Sequence, residues 1–108
     1  MKIGIVSDIH CDFVAFERAR EEMGPVDLLM GAGDWVLQYR FSNDIYDMIR
    51  DHNIIAVRGN HDMAIASSAG AALRASGKII PEHLQRLDDM PSVVELHVEG
   101  KRIVMMHT

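Results

Sequence analysis

Ile54-Ile55-Ala56-Val57-Arg58-Gly59-Asn60-His61-Asp62 is the stretch on which the fold turns. Four apolar residues in succession, without polar alternation, describe a strand buried on both faces. They run directly into a glycine and three polar residues. The same arrangement occurs twice upstream. Ile3-Gly4-Ile5-Val6 leads into Ser7-Asp8-Ile9-His10, and the run Val26 to Met30 leads into Gly31-Ala32-Gly33-Asp34. Helical stretches separate these runs. Asp12 is placed to cap a helix from about Phe13 to Met23, in which Phe13 and Phe16 keep the helical spacing and Gly24-Pro25 provide the stop. Ser42 or Asn43 is placed to cap a second helix, through Ile45, Met48 and Ile49 to about His52. Three buried strands alternating with amphipathic helices define a βαβαβ unit with a parallel sheet, so the class is α/β.

The texture changes after Asp62. Met63 to Ala75 is rich in Ala and Ser and is expected to be helical, with Asp62 as its cap or as a support for the residues before it. Pro81 suits the first turn of a short helix through Leu84 and Leu87, which Pro91 ends. Val93 to Val98 and Arg102 to His107 are β-rich runs joined at Glu99-Gly100-Lys101, the pattern of a hairpin. No repeat, low-complexity tract or linker interrupts the chain, and residues 1–108 are expected to form one domain.

Composition narrows the function. Lys and Arg number 11 against 16 Asp and Glu, a net charge of −5 that argues against a general nucleic-acid or anionic-membrane binder. A phosphate-bearing substrate stays compatible, because a bound cation reverses the local sign. Cys11 is the only cysteine, so no intrachain disulfide forms. There is no apolar run of membrane-spanning length and no signal-peptide pattern at the N-terminus, and a cytoplasmic location is expected.

Each parallel strand ends in polar residues of metal-ligand type: Asp8 and His10, then Asp34, then Asn60 and His61. Asp34 follows Asp8 by 26 residues and Asn60 follows Asp34 by 26, about one crossover unit per step. In open α/β sheets ligands bind beyond the carboxyl ends of strands, so these residues should face one crevice. Asp8 and His10, two apart, would point to the same side of an extended backbone. Gly33 and Gly59 would allow sharp turns before Asp34 and Asn60. Carboxylates, imidazoles and an amide oxygen suit Mn²⁺, Fe or Zn²⁺ better than a soft metal. His107, at the end of the last strand, is a further donor. His52, His83 and His97 have no motif around them and are expected at the surface, and Cys11 is not expected to be a ligand. The eight methionines are expected to fill core space. Glu17, Arg18, Arg20, Glu21 and Glu22 describe a solvated helix face. Trp35 is suited either to line a substrate mouth or to pack against the next helix.

Asp8-Ile9-His10, Gly33-Asp34 and Gly59-Asn60-His61-Asp62, in this order and spacing, resemble the calcineurin-like metallophosphoesterase superfamily, whose signature is D-x-H, then G-D, then G-N-H-[DE]. The resemblance covers essentially the whole chain, and the Leu87-to-Pro91 stretch with the following hairpin and histidine is similar to small bacterial and archaeal phosphodiesterases. It implies two divalent metal ions, manganese favoured and iron, zinc or nickel as alternatives. Asp8, His10 and Asp34 would bind the first, and Asp34 would bridge to a second held also by Asn60 and His107. A hydroxide between the metals would attack phosphorus in a phosphoester substrate. Asn60 and His61 would contact that substrate, His61 as the catalytic residue that stabilises charge or protonates the leaving oxygen.

Two features depart from the family pattern. Many members read G-D-x-x-D, and here Leu37 holds the place of the second aspartate. The later G-H-x-H motif is missing, and Thr108 stands where members usually carry a glycine. The resemblance therefore implies the first half of a four-layer α/β/β/α sandwich: an enzyme fragment that pairs with a C-terminal half, or a self-associating, non-catalytic scaffold or metal-binding remnant.

Overall fold

The structure, a computed structural model, describes residues 1–107, so the Thr108 position lies outside the described residues. Strands β1 (Ile3–Val6), β2 (Leu28–Gly31) and β3 (Ile55–Ala56) form a parallel sheet in the order β1-β2-β3. Ile3 pairs with Leu28 and Met30 with Ile55. Strands β4 (Val93–Val98) and β5 (Lys101–Met106) form a separate antiparallel hairpin. The expected α/β class, parallel unit and hairpin are all present.

Helix α1 (Phe13–Met23) has the expected limits. The Asp12 carboxylate accepts the Ala15 N–H at 3.0 Å, and Gly24, at φ 69°, closes the last turn. Helix α2 (Asn43–Asp51) is capped by Ser42 and buries Ile45, Tyr46, Met48 and Ile49. Helix α3 (Asn60–Ala66) begins earlier than the sequence suggests, and the expected single helix to Ala75 is broken. Ser67 is extended and its hydroxyl donates to the Ala64 carbonyl at 2.6 Å; a 3₁₀ turn over Ser68–Gly70 leads into α4 (Ala71–Ala75). A side chain competing for backbone partners stops the helix where composition would continue it. Helix α5 (Pro81–Asp89) starts on its proline and buries His83 and Leu87, four residues apart on one face.

Adjacent residues of β2 face opposite ways. Leu29 joins the larger core with Phe16, Tyr46, Ile49, Ile65 and Leu87 from the helices and Trp35 from the loop after β2. Met30 joins Val57 and Met105 in a second core against the hairpin, with Ile3, Val94, Leu96 and Ile103 around it. Helices thus cover one face of the parallel sheet and the hairpin covers the other, while Val93, Val104 and Met106 remain exposed on the hairpin. Trp35 is a packing residue: it is buried against Phe16 and its indole N–H donates to the Val57 carbonyl at 3.1 Å. His83 corrects an expectation. It is fully buried, with Nε2 at 2.6 Å from an Asp47 carboxylate oxygen, because it shares the inward face of α5 with Leu87. Among the described residues no helix is long and apolar enough to cross a membrane.

Candidate metal centre

The strand ends are laced together by backbone hydrogen bonds that continue past the sheet. The N–H groups of Asp8, His10 and Cys11 donate to the carbonyls of Gly33, Asp34 and Trp35, each at 3.0 Å. The segment after β1 is not extended, as the two-residue spacing had suggested. Asp8, His10 and Asp34 have φ of 56°, 52° and 57°, the left-handed region that short polar side chains tolerate best. Three candidate ligands therefore sit on strained backbone, and each still reaches the same point. Gly33 turns the chain at φ 98°. Gly59 has ordinary extended dihedrals, and its need is space: a Cβ there would strike the Asp34 carboxylate and backbone nitrogen.

Asp34 is buried at the centre. Its Oδ2 lies 3.4 Å from His10 Nε2 and 3.3 Å from His107 Nε2, and His10 Nε2 is 3.5 Å from Asp8 Oδ1. His107 Nδ1 lies 2.8 Å from the Ala32 carbonyl, which can only accept, so the proton sits on Nδ1 and Nε2 turns a lone pair to the centre. Asn60 Oδ1 is 3.1 Å from that same Nε2. With His107 neutral, two lone pairs facing each other at that distance suit a shared cation. Without a cation, either the ring takes a second proton at Nε2 or the amide turns over and its nitrogen donates to His107 Nε2 and to both Asp34 oxygens. A cation about 2.0–2.2 Å from nitrogen and oxygen donors would place those donors about 3.0–3.5 Å apart, so the set fits one.

The structure brings all five ligand candidates together: Asp8, His10, Asp34, Asn60 and His107. Donor atoms of Asp8, Asp34 and His107 lie within 4.8 Å of one another, as do those of His10, Asp34 and His61. The Ser7 hydroxyl donates to Asp8 at 2.6 Å and holds its carboxyl below the usual carboxylate range, against a partial desolvation push and helped by His107 and His10. Cys11 is buried and its thiol donates to the Arg40 carbonyl, away from ligation; burial pushes that thiol up.

His61 approaches His10 edge-on, with ring centroids 5.3 Å apart. Its backbone N–H donates to Asp34 Oδ1 at 3.0 Å. Its Nδ1 accepts the Gln38 N–H at 3.1 Å, which leaves Nε2 as the protonated nitrogen of the neutral ring. A carboxylate at Leu37 could only accept from the ring; the partner here is a backbone N–H one residue on, which donates to it. No side-chain pattern announces such a partner, so sequence reasoning missed it. It also left the role of Asp62 open. That side chain is fully buried and accepts four backbone N–H groups: Gly59 at 2.8 Å, Asp34 at 2.9 Å, Val36 at 3.2 Å and Trp35 at 3.4 Å. Burial pushes its carboxyl up, the N–H bonds oppose this, and the Asp34 charge adds to the push. Its place three residues after Gly59 is the capping-box position, the one local signal that pointed to it.

A parallel sheet that delivers carboxylate, imidazole and amide donors from successive strand ends to one buried aspartate defines a metallophosphoesterase-type domain. The chain belongs to the calcineurin-like phosphoesterase superfamily, whose domain matches residues 1–108. It is similar to a metallophosphoesterase from Sphaerobacter thermophilus, with 31% identity and a TM-score of 0.70 over 87% of this chain and 42% of that one. The fold also matches the hypothetical protein PH1004 from Pyrococcus horikoshii, at 18% identity and TM-score 0.69 over 95% of this chain and 53% of that one. An uncharacterized protein, MJ0912 of Methanocaldococcus jannaschii, is 26% identical over 117 residues, covering 97% of this chain and 48% of the relative. The chain spans about half the length of these proteins.

Proposed function

We propose that this domain is the metal-bearing part of a phosphoester hydrolase that works with two divalent cations, manganese favoured. Asp8, His10 and Asp34 would hold one, and Asp34, Asn60 and His107 the other. One observation supports this above the rest: a single buried carboxylate oxygen, Asp34 Oδ2, lies 3.3 and 3.4 Å from imidazole nitrogens contributed by opposite ends of the chain. Bound cations there would supply Lewis-acid charge at the phosphoryl oxygens and lower the pKa of water. The remaining work belongs to the chain. His61, tied at Nδ1 to the Gln38 amide, offers its Nε2–H as a hydrogen-bond donor to a phosphoryl or leaving oxygen. The Ala32 carbonyl holds His107 in its ligating tautomer, and Asn60 turns its amide oxygen to the cation and its nitrogen to the substrate. Asp34→Asn should lower Mn²⁺-stimulated hydrolysis of bis(4-nitrophenyl) phosphate by at least about 100-fold, beyond the cost of losing a supporting partner. Turnover unchanged by that substitution would sink the proposal.

A second reading, a non-catalytic module that associates with its own copies, is favoured by one surface. Val93, Met106 and Val104 lie together on the outer face of the hairpin, where Val93 pairs with Met106, and all three are exposed. A contiguous apolar patch on a two-stranded sheet with open edges is suited to another copy of itself. Sedimentation at micromolar concentration should then show an oligomer that Val104→Lys dissociates, and a monodisperse wild-type monomer would rule this reading out.

A further inference from the structure

We infer that Asp62 is the positioning residue of the metal centre: its carboxylate clamps the loop carrying Asp34 to the turn carrying Asn60 and His61. The inference rests on the metal-centre reading above and adds to it a residue that neither ligates nor touches substrate.

An acidic residue at the third position of a helix ordinarily serves its own helix, taking the N–H of the capping residue. Asp62 does this with Gly59 at 2.8 Å, and the same Oδ2 also takes the Asp34 N–H at 2.9 Å. One atom thus joins two strand ends. The Trp35 and Val36 amides complete the set, so three consecutive N–H groups of a loop leaving β2 end on this side chain. Those amides have left the sheet ladder and are buried, so without Asp62 they would have no acceptor. Asp34 also holds a left-handed conformation, which persists only where its surroundings over-determine it. The tie is reciprocal, because Asp34 Oδ1 accepts the His61 N–H at 3.0 Å. Close backbone approach seals the arrangement: a Cβ on Gly33 would come within 2.7 Å of the Gly59 nitrogen. The continuation of the clamped loop supplies the Gln38 N–H that sets the His61 tautomer. Asp62 therefore controls the placement of Asp34, Asn60 and His61 together.

The test compares wild type, the isosteric variant Asp62→Asn and Gly100→Ala, a control that strains the far hairpin turn, where a new Cβ meets nothing within 4 Å. Three quantities are read: Mn²⁺ affinity by calorimetry, amide hydrogen exchange at residues 34–36 and 59, and kcat and KM on bis(4-nitrophenyl) phosphate. Asp62→Asn should weaken Mn²⁺ binding by about 10–100-fold and lower kcat with little change in KM. Exchange at Asp34, Val36 and Gly59 should quicken about tenfold or more. Gly100→Ala, at matched loss of thermal stability, should keep Mn²⁺ affinity within about twofold, as expected for a site with no shared partners. Wild-type Mn²⁺ affinity and wild-type exchange in Asp62→Asn would overturn the inference. Should that variant fail to fold, exchange in the wild-type protein decides: the amides of Asp34, Val36 and Gly59 should open only with global unfolding, and fast local opening would overturn the clamp. Wild-type protein that binds Mn²⁺ in an Asp62-dependent way without hydrolysing the ester would defeat the hydrolase proposal and leave the clamp standing.

Discussion

Asp8, His10 and Asp34 sit at positive φ, and each such non-glycine residue costs of order 1–3 kcal/mol that surrounding contacts must hold in place. The lacing of the 8–11 and 33–35 segments and the Asp62 clamp are those contacts. Gly59 shows how little slack remains. In Gly59→Ala the added methyl would meet the Asp34 carboxylate and its backbone nitrogen, neither of which can retreat without moving the other ligands. The substitution should cost about 1–3 kcal/mol, as overpacking does, and weaken Mn²⁺ binding together with stability. Gly100→Ala is the comparison: φ is 75° but nothing lies within 4 Å of a new Cβ, so about 1–2 kcal/mol of backbone strain should appear without any change in metal affinity. Urea melts and Mn²⁺ titrations of the two variants separate these effects, and a Gly59→Ala protein that binds Mn²⁺ normally would contradict the packing described. The side chains of this site were legible in the sequence because their types and 26-residue spacing are side-chain information. Its supports were not, because Gln38, Trp35, Val36 and Ala32 act through their backbones, which carry no signature of residue type.

At the level of elements, legibility followed the range of the forces. Helix α1 matched its expected limits because cap, apolar spacing and glycine stop are all local. The hairpin was legible for the same reason: two β-rich runs meet at a glycine turn. Strand β3 was placed correctly but is only two residues long, since Ile54 and Val57 lie just outside the ladder, where the Val57 N–H still reaches the Gly31 carbonyl at 3.1 Å. The stretch after Asp62 was misread because its break depends on tertiary approach. A Cβ at Gly70 would collide with the backbone of Ile65, so the chain can fold back on α3 only with glycine there. His83 was misread because its burial depends on Asp47 from α2, 36 residues away. The family pattern, by contrast, was carried by three short motifs at strand ends, none of which includes the Leu37 position.

For the molecule as a whole, the feature most exposed to solution conditions is the core beneath the site. Tyr46 is fully buried in it, and its hydroxyl has no hydrogen-bond partner among the described residues. Burial, reinforced by Asp62 and opposed by Arg58 and Arg86, pushes this phenol well above its ordinary value. The folded state therefore keeps a proton that the unfolded chain gives up once the pH passes about 10. Above that point the unfolded state binds fewer protons than the native one, so stability is full below the unfolded pKa and falls as pH rises through it. Cys11, also raised by burial, acts in the same direction from the ordinary thiol range upward. Chemical denaturation at pH 7, 9 and 10.5 should show this loss, with phenolate absorbance from Tyr46 appearing only as the protein unfolds. Tyr46→Phe removes a buried hydroxyl that has nothing to lose, so stability at pH 7 should change by no more than about 1 kcal/mol. Its decline between pH 9 and 10.5 should be shallower than that of wild type. A variant whose alkaline decline tracks the wild-type curve would place the alkaline weakness elsewhere, in Cys11 or in the repulsion of a chain that already carries a net charge of −5 at neutral pH.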